Sequence, residues 1–261
     1  MTTTTIQRRG PAPFSDALVL TGRSLRHAVR QPEVLILGLA LPVLLMLLLT
    51  TVFGGALDTG GGRYIDYLAP GVIILVTGYG AALTAASVTE DMTKGIVARF
   101  RTMPMRPSAV LTGHVAASVL RNLVSTVLAV GAALAVGFRP AAGVAGWAGV
   151  FGLVTLYVLA VSWLAAATGL VAQTVEAASA SSFVLLFLPY VSSAFVPVHT
   201  LPSWLHGVAE HTPFTPISES WRALLFGQPV GAHLGPALAW LLGALVVGMV
   251  GSSLLWRRSR R

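Results

Sequence analysis

The charged residues of this chain concentrate in one short segment between two apolar runs. Positions 90 to 107 carry two adjacent carboxylates, one lysine and several arginines, namely Glu90, Asp91, Lys94, Arg99, Arg101 and Arg106. Glu90, Asp91 and Lys94 precede Gly95, and Pro104 follows the arginines. Charges of both signs on a compact segment suit electrostatic docking to a partner. The segment therefore predicts a surface that another protein binds, the alternative being charges that only cap and orient a loop.

Side chains that commonly perform catalysis lack the necessary spacing. Lys94 is the only lysine, and the residues before it do not form the G-x-x-x-x-G-K loop that cradles nucleotide phosphates. Neither a G-x-S-x-G elbow nor an H-E-x-x-H pair occurs, and the chain contains no cysteine. We predict that the chain is not an enzyme, with no catalytic residue and no cofactor of its own.

The histidines are not spaced as metal ligands. They are His27, His114, His199, His206, His211 and His233. His206 and His211 are five residues apart, which does not place both rings on one helix face. We predict surface histidines and no metal site.

Composition indicates the elements that position these residues. Apolar residues make up 55% of the chain and charged residues only 10%, which is outside the range of soluble domains. A helix needs about 20 apolar residues to cross a bilayer. We predict one all-α transmembrane domain, residues 1–261, with six spans: Val34–Phe53, Leu68–Val88, Val115–Gly137, Ala145–Val171, Ala178–Val198 and Leu234–Trp256.

Individual residues within the spans predict their shape and packing. Pro42 and Pro189 should kink the first and fifth spans. Ala244, Gly248 and Ser252 give the sixth span a small-residue packing stripe. Arg121 falls within the third span and must either snorkel to the headgroups or face protein.

Arginine placement predicts the orientation, because short basic loops stay in the cytoplasm. An even number of spans puts both termini on one side, together with the 89–108 loop. That side would hold most of the arginines, including Arg257 and Arg258, while Arg63, Arg139 and Arg222 would lie opposite. We predict a multi-pass protein of the inner or plasma membrane with cytoplasmic termini. The basic C-terminus then faces anionic lipid, and no nucleic-acid partner is expected.

Two further segments are amphipathic. Residues 14–31 carry Arg23, Arg26 and Arg30 opposite an apolar face, which predicts an interfacial helix, the alternative being a lead-in to the first span. Residues 197–232 are divided by prolines into Leu201–Glu210 and Ile217–Phe226, each too short to span, so they should lie along the outer interface or re-enter. Glu219 and Arg222 can pair across one turn, either as a surface ion pair or as an outer gate.

Two separated motifs carry a family resemblance. Glu90-Asp91, Lys94-Gly95 and Arg99-Phe100-Arg101-Thr102-Met103-Pro104 resemble the cytoplasmic loop signature of type-2 ATP-binding-cassette exporter permeases, most closely the daunorubicin and doxorubicin resistance permeases. The second motif is similar to that family's proline-rich outer segment and its following amphipathic helix, and consists of Phe195-Val196-Pro197, Leu201-Pro202-Ser203-Trp204-Leu205 and residues Phe214 to Gly227.

The resemblance implies a half-transporter that forms a homodimer or heterodimer, each copy binding a separate ATPase subunit that holds the ATP. The loop would supply a coupling helix through Glu90, Asp91, Lys94, Gly95, Arg99, Arg101 and Pro104. In that helix, Glu90 and Asp91 would suit the N-terminus and the arginines the C-terminus, in keeping with the helix dipole.

The cargo is only broadly indicated. The spans contain almost no deep ionisable residue, which disfavours a proton-driven pump and suits an amphiphilic drug, antibiotic or lipid-like compound. Hydroxyl side chains in the spans either line the path or join helices: Thr50, Thr51, Thr77, Tyr79, Thr84, Ser179, Ser181, Ser182, Ser192 and Ser193. Two alternatives remain, export of a polysaccharide or lipid-linked glycan, and a membrane scaffold without transport activity.

Overall fold

The computed structural model describes residues 21–22, 32–54, 62–94 and 108–258, and these ranges form helices joined by short turns, with no strand among them. The predicted interfacial helix, with Arg23, Arg26 and Arg30, lies outside the described residues apart from positions 21 and 22. Gly95, Arg99, Arg101 and Pro104 of the predicted coupling loop lie outside them as well.

Among the described residues, five long helices form the bundle. They are α1 (Pro32–Phe53), α2 (Tyr64–Thr93), α3 (Ser108–Val136), α4 (Val144–Val171) and α8 (Leu234–Arg258). Within the described ranges, α2, α3, α4 and α8 are long and apolar enough to cross a bilayer. Helix α1 has 22 residues and contains the apolar stretch Gly38–Val52. Four of the six predicted spans are therefore matched by a helix whose described residues are both long and apolar enough to cross a bilayer.

The predicted fifth span is not one continuous helix. An α-helix, α5, covers Val175–Phe187, and a single 3₁₀ turn, Leu188–Val191, follows it. The backbone is then fully extended at Ser192, with φ −145° and ψ 177°. Pro189 lacks an amide proton and ends the helix instead of kinking it. The prediction of a helix through Val198 is wrong for this reason.

Two short helices occupy the segment between α5 and α8. Helix α6 covers Ser203–His211 and α7 covers Phe214–Leu225, so the two predicted pieces are present with shifted ends. Both begin directly after a proline. Proline is tolerated at a helix start because backbone N–H groups there have no hydrogen-bond partner within the helix. Helix α7 buries Ile217 and Trp221 against the bundle. The Trp221 ring meets the Tyr157 ring of α4 edge to face, with centroids 5.6 Å apart.

Helix α2 lies at the centre of the molecule. It packs against α1, α3, α4, α5 and α7, and buries most of its length, including Leu68, Ile74 and Leu75. The outward faces of α1, α3 and α8 instead expose large apolar side chains such as Leu44, Val127 and Val247. An apolar exterior around a packed centre is the pattern of a helical bundle surrounded by hydrocarbon.

The predicted small-residue stripe on the last helix makes a close helix contact. A methyl group on Gly248 would lie 2.9 Å from both the Trp163 Cβ and the Leu164 backbone nitrogen of α4. Ser252, one turn further on, is fully buried. Small side chains let two backbones approach, which maximises dispersion contact where no hydrophobic effect drives association.

Candidate functional site

The first candidate site, at the base of the predicted coupling loop, begins at the end of α2. This helix continues through Thr93, so Glu90 and Asp91 lie in its last turn. The expectation that these two carboxylates begin a helix is therefore wrong. A helix C-terminus disfavours negative charge. Each carboxylate has a side-chain partner nearby, Lys94 for Glu90 and His114 for Asp91. Glu90 forms an ion pair with Lys94, whose amide also caps the helix by donating to the Glu90 carbonyl at 2.9 Å.

Asp91 points into the protein. Its Oδ2 lies 3.1 Å from Nε2 of His114 on α3, and the two side chains are only 9% and 7% exposed. The Ser87 hydroxyl lies 3.4 Å from the other ring nitrogen. The prediction of a surface histidine is thus wrong at His114. Because α2 and α3 flank the predicted coupling loop, this buried pair joins the two helices at the base of the loop.

A second polar contact joins α2 to α4 at the same level. The Thr89 hydroxyl donates to the Gly169 carbonyl at 2.9 Å as well as to its own helix at Ala85. The predicted loop therefore leaves α2 beside two contacts that connect this helix to the rest of the bundle. Of the predicted coupling residues, Glu90 and Lys94 remain at the surface, with side chains 35% and 63% exposed.

Arg121 faces protein, which decides between the two alternatives for this residue. Its Nη2 donates to the Gly80 carbonyl at 3.2 Å and to the Thr84 hydroxyl at 2.9 Å. The Thr84 hydroxyl also donates to Ser118 at 2.6 Å, and the Ser118 hydroxyl lies 2.9 Å from that of Ser162. This chain of hydroxyl groups joins α2, α3 and α4 in the middle of the bundle. Hydrogen bonds between helices are the expected use of such groups in a membrane.

Gly80 is required for that arrangement. The Asn122 side chain, fully buried beside Arg121, donates to the Ser118 carbonyl at 3.0 Å. A methyl group on Gly80 would lie 1.7 Å from the Asn122 Oδ1. The absence of a side chain at Gly80 therefore lets α2 and α3 approach at the level of Arg121.

Arg222 is the centre of a further candidate site, which was predicted to lie on the outer side. Its Nη1 lies 2.7 Å from the Glu219 Oε1, which confirms the predicted contact. Its Nη2 donates to the Ser193 and Tyr67 carbonyls at 3.0 and 3.2 Å, and its guanidinium carbon lies 3.7 Å from the centre of the Tyr67 ring. The Arg222 side chain is only 13% exposed, so the pair is largely buried and not a simple surface ion pair.

The polar groups around Arg222 satisfy the backbone that follows Pro189. The Tyr67 and Tyr64 hydroxyls donate to the Ser193 and Phe195 carbonyls at 2.8 and 3.1 Å. The Ser193 amide donates to the Thr215 hydroxyl at 3.0 Å. A non-helical segment within a bundle needs such partners because no water is available to supply them. The two tyrosines were not singled out in the sequence, although their i, i+3 spacing places both on one face of α2.

Most of the hydroxyl groups considered as path residues bond within the protein. Thr77, Ser182 and Ser192 donate to carbonyls of their own segment. The Thr84 hydroxyl joins α2 to α3, as described above, and the Ser193 hydroxyl lies 3.1 Å from the Ser218 hydroxyl of α7. These contacts support helix packing as the role of Thr84 and Ser193.

Comparison with known proteins agrees with the arrangement of helices. The family model described as "ABC-2 type transporter" matches residues 16–226, which covers α1 to α7. The chain belongs to this family. It is a permease of the ATP-binding-cassette class, and its several apolar helices make it a multi-pass membrane protein.

Two relatives extend the similarity. The chain is 32% identical over 208 residues to "Daunorubicin resistance ABC transporter permease protein DrrB1" of Streptomyces coeruleorubidus, a match that covers 79% of this chain and 74% of the relative. It is 23% identical over 250 residues to "Probable doxorubicin resistance ABC transporter permease protein DrrC" of Mycobacterium tuberculosis, covering 94% and 89%. The permease is thus related to proteins named for drug resistance.

Proposed function

We propose that this permease is the transmembrane subunit of an exporter that moves an amphiphilic drug, antibiotic or lipid-like compound out of the cell. ATP is hydrolysed by a separate nucleotide-binding subunit that docks on the 89–108 loop. Two permease copies, identical or different, form the complete unit in the cell membrane. The names of the two relatives support a drug as cargo in preference to a glycan.

The observation that carries the proposal is the geometry at the base of the loop. Glu90 and Lys94 lie at the surface where a partner can contact them, while Asp91 is held by His114 inside the bundle. The loop connects directly to two rigid helices that are pinned to each other. Movement of a subunit docked on the loop would therefore be transmitted to α2 and α3 as rigid bodies.

The remaining parts of the proposal follow from the predicted topology. Six membrane crossings place both termini and the loop in the cytoplasm, with the α5 segment supplying the fifth crossing although its helix is interrupted. The residues around Glu219 and Arg222 then lie on the outer side, where they would form a gate. Residues 14–31 would lie along the inner surface through Arg23, Arg26 and Arg30.

The test is the ATPase rate of the permease co-purified with its cognate nucleotide-binding subunit in lipid, with and without daunorubicin. We expect wild type to retain the subunit and to be stimulated by the drug. Glu90→Ala combined with Arg101→Ala should weaken subunit binding or abolish stimulation. Arg257→Ala, which removes an exposed charge at the end of α8, is the control. If no ATPase subunit co-purifies and the double variant behaves as wild type, the transporter assignment fails.

A further inference from the structure

An apolar cavity of about 370 Å³ lies between α2, α3 and α4, separate from the three polar sites described above. This volume is within the range of cavities that bind small ligands, roughly 300–1,000 Å³. None of the lining side chains carries a charge, and all are aliphatic or aromatic except Thr126. An apolar space of this kind does not hold water well. The lining therefore suits a hydrocarbon occupant.

The cavity opens sideways towards the surrounding bilayer. Val127, Leu134 and Phe151 lie on its wall, and their side chains are 65%, 38% and 60% exposed on the outside of the bundle. Deeper wall residues, Ala129 and Ala133, are nearly fully buried. The cavity is thus entered from the side of α3 and α4 that faces lipid chains.

One end of the cavity is closed by the C-terminus of α3. Gly137 has φ +117°, a conformation that favours glycine, and ends the helix. The Phe138 amide bonds back to the Ala133 carbonyl at 2.9 Å and the Gly137 amide to Leu134 at 3.2 Å, which is the Schellman motif. This motif turns Phe138 inward, where its ring is 1% exposed and lines the cavity.

The residue after Phe138 places a cation at this rim. The Arg139 Nη1 donates to the Leu134 and Phe138 carbonyls at 2.7 and 2.8 Å, and both of these residues line the cavity. Asp66 accepts the Arg139 backbone amide at 3.1 Å, but its carboxylate forms an ion pair with Arg63. Within the described residues the Arg139 guanidinium therefore hydrogen-bonds to neutral carbonyls and forms no direct ion pair with a carboxylate.

We propose that this cavity binds one acyl chain of an anionic phospholipid from the surrounding bilayer, with the lipid phosphate at Arg139. An apolar slot entered from the lipid side, with an exposed guanidinium at its rim, matches a molecule that has a hydrocarbon chain and an anionic head. A guanidinium binds phosphate oxygens through paired, charge-assisted hydrogen bonds. The bound lipid is a resident component of the permease and not its cargo.

The test is native mass spectrometry of the permease released from bilayers that contain equal amounts of phosphatidylglycerol and phosphatidylcholine. We expect wild type to retain phosphatidylglycerol at least fivefold more often than phosphatidylcholine. Arg139→Gln should remove this preference, whereas Arg257→Gln, at an exposed arginine of α8, should keep it. Ala133→Phe fills the cavity and should lose bound lipid of both kinds. Ala135→Phe adds the same ring on the exposed face of α3, at the same depth, and should behave as wild type.

Four results would overturn the proposal. Equal retention of the two lipids by wild type would remove the role of Arg139 as a phosphate ligand. Unchanged retention by Ala133→Phe would place the lipid elsewhere. Displacement of the lipid by daunorubicin would make the cavity a cargo site, and dissociation of a permease dimer by Ala133→Phe, but not by Ala135→Phe, would make it an interface between copies. If Ala133→Phe does not fold, the comparison of Arg139→Gln with wild type still decides the outcome.

Discussion

Individual polar residues join the helices of this permease at three levels. Asp91 and His114 do so at the base of the predicted coupling loop, Arg121 in the middle, and Arg222 near the start of α2. Each donor or acceptor is buried among apolar side chains, where the loss of one partner leaves the other unsatisfied. The effects of single substitutions should therefore depend on which partner remains.

The first prediction concerns Asp91. Asp91→Ala leaves His114 buried without its partner and should reduce the free energy of unfolding by roughly 1–3 kcal/mol. Asp91→Asn keeps an oxygen acceptor and should cost less. Glu90→Ala removes only a partly exposed pair and should change stability by less than about 1 kcal/mol. Thermal unfolding in lipid or detergent gives the order, and equal effects at positions 90 and 91 would refute the buried pair.

The second prediction concerns Arg222. Arg222→Lys keeps the charge beside Glu219. It loses the stacking of the planar guanidinium on the Tyr67 ring and the pair of hydrogen bonds to the Tyr67 and Ser193 carbonyls. We expect a loss of about 1–2 kcal/mol, more than the effect of Tyr67→Phe, which removes one hydrogen bond to Ser193. Unfolding measurements of both variants test this ranking. Wild-type stability in Arg222→Lys would mean that charge alone matters at this position.

At the scale of elements, the contact between α8 and α4 depends on the absence of a side chain at one position. Gly248→Ala introduces a methyl group 2.9 Å from Trp163 and should separate the helices, at a cost of roughly 1–3 kcal/mol. Gly243→Ala is the matched control, because a methyl group there meets nothing within 4 Å. Alanine is the better helix former, so this control should be neutral or more stable. Equal destabilisation by the two substitutions would exclude the proposed close contact.

The elements also show what the sequence predicts well and what it does not. Helix α4 begins one residue before its predicted start and ends at the predicted residue. The prediction succeeds because a long apolar run has clear ends where glycine and polar residues begin. The fifth span was predicted wrongly because its hydropathy is high on both sides of Pro189. Hydropathy does not show that Pro189 ends the helix, nor that tyrosines of α2 supply hydrogen bonds to the non-helical backbone that follows.

The candidate sites were less predictable than the helices. The pairing of Glu219 with Arg222 follows from their spacing within one helix. The pairing of Asp91 with His114 depends on how two helices rotate against each other across a loop, which sequence spacing does not specify. Glu90 and Asp91 were assigned to a helix start because acidic residues favour that position, whereas here the preceding apolar helix simply extends through them.

At the scale of the whole molecule, the proposed topology of six crossings predicts which residues face the outside of the cell. The chain contains no cysteine, so single cysteines can be introduced without removing any. Arg139→Cys and Arg257→Cys both replace exposed arginines. In intact cells a membrane-impermeant maleimide should label position 139, and should label position 257 only after permeabilisation. Labelling of both positions from outside would contradict the proposed topology.

We propose above that Asp91 and His114, at the base of the loop, transmit movement of the ATPase subunit to the bundle. The most direct measurement is daunorubicin transported per ATP hydrolysed in inverted vesicles, for wild type, Asp91→Asn, His114→Gln and the control Arg257→Gln. We expect that Asp91→Asn and His114→Gln still bind the nucleotide-binding subunit and hydrolyse ATP, but transport several-fold less drug per ATP. An unchanged ratio of drug to ATP in both variants, with the subunit bound, would mean that the Asp91–His114 pair does not transmit the movement.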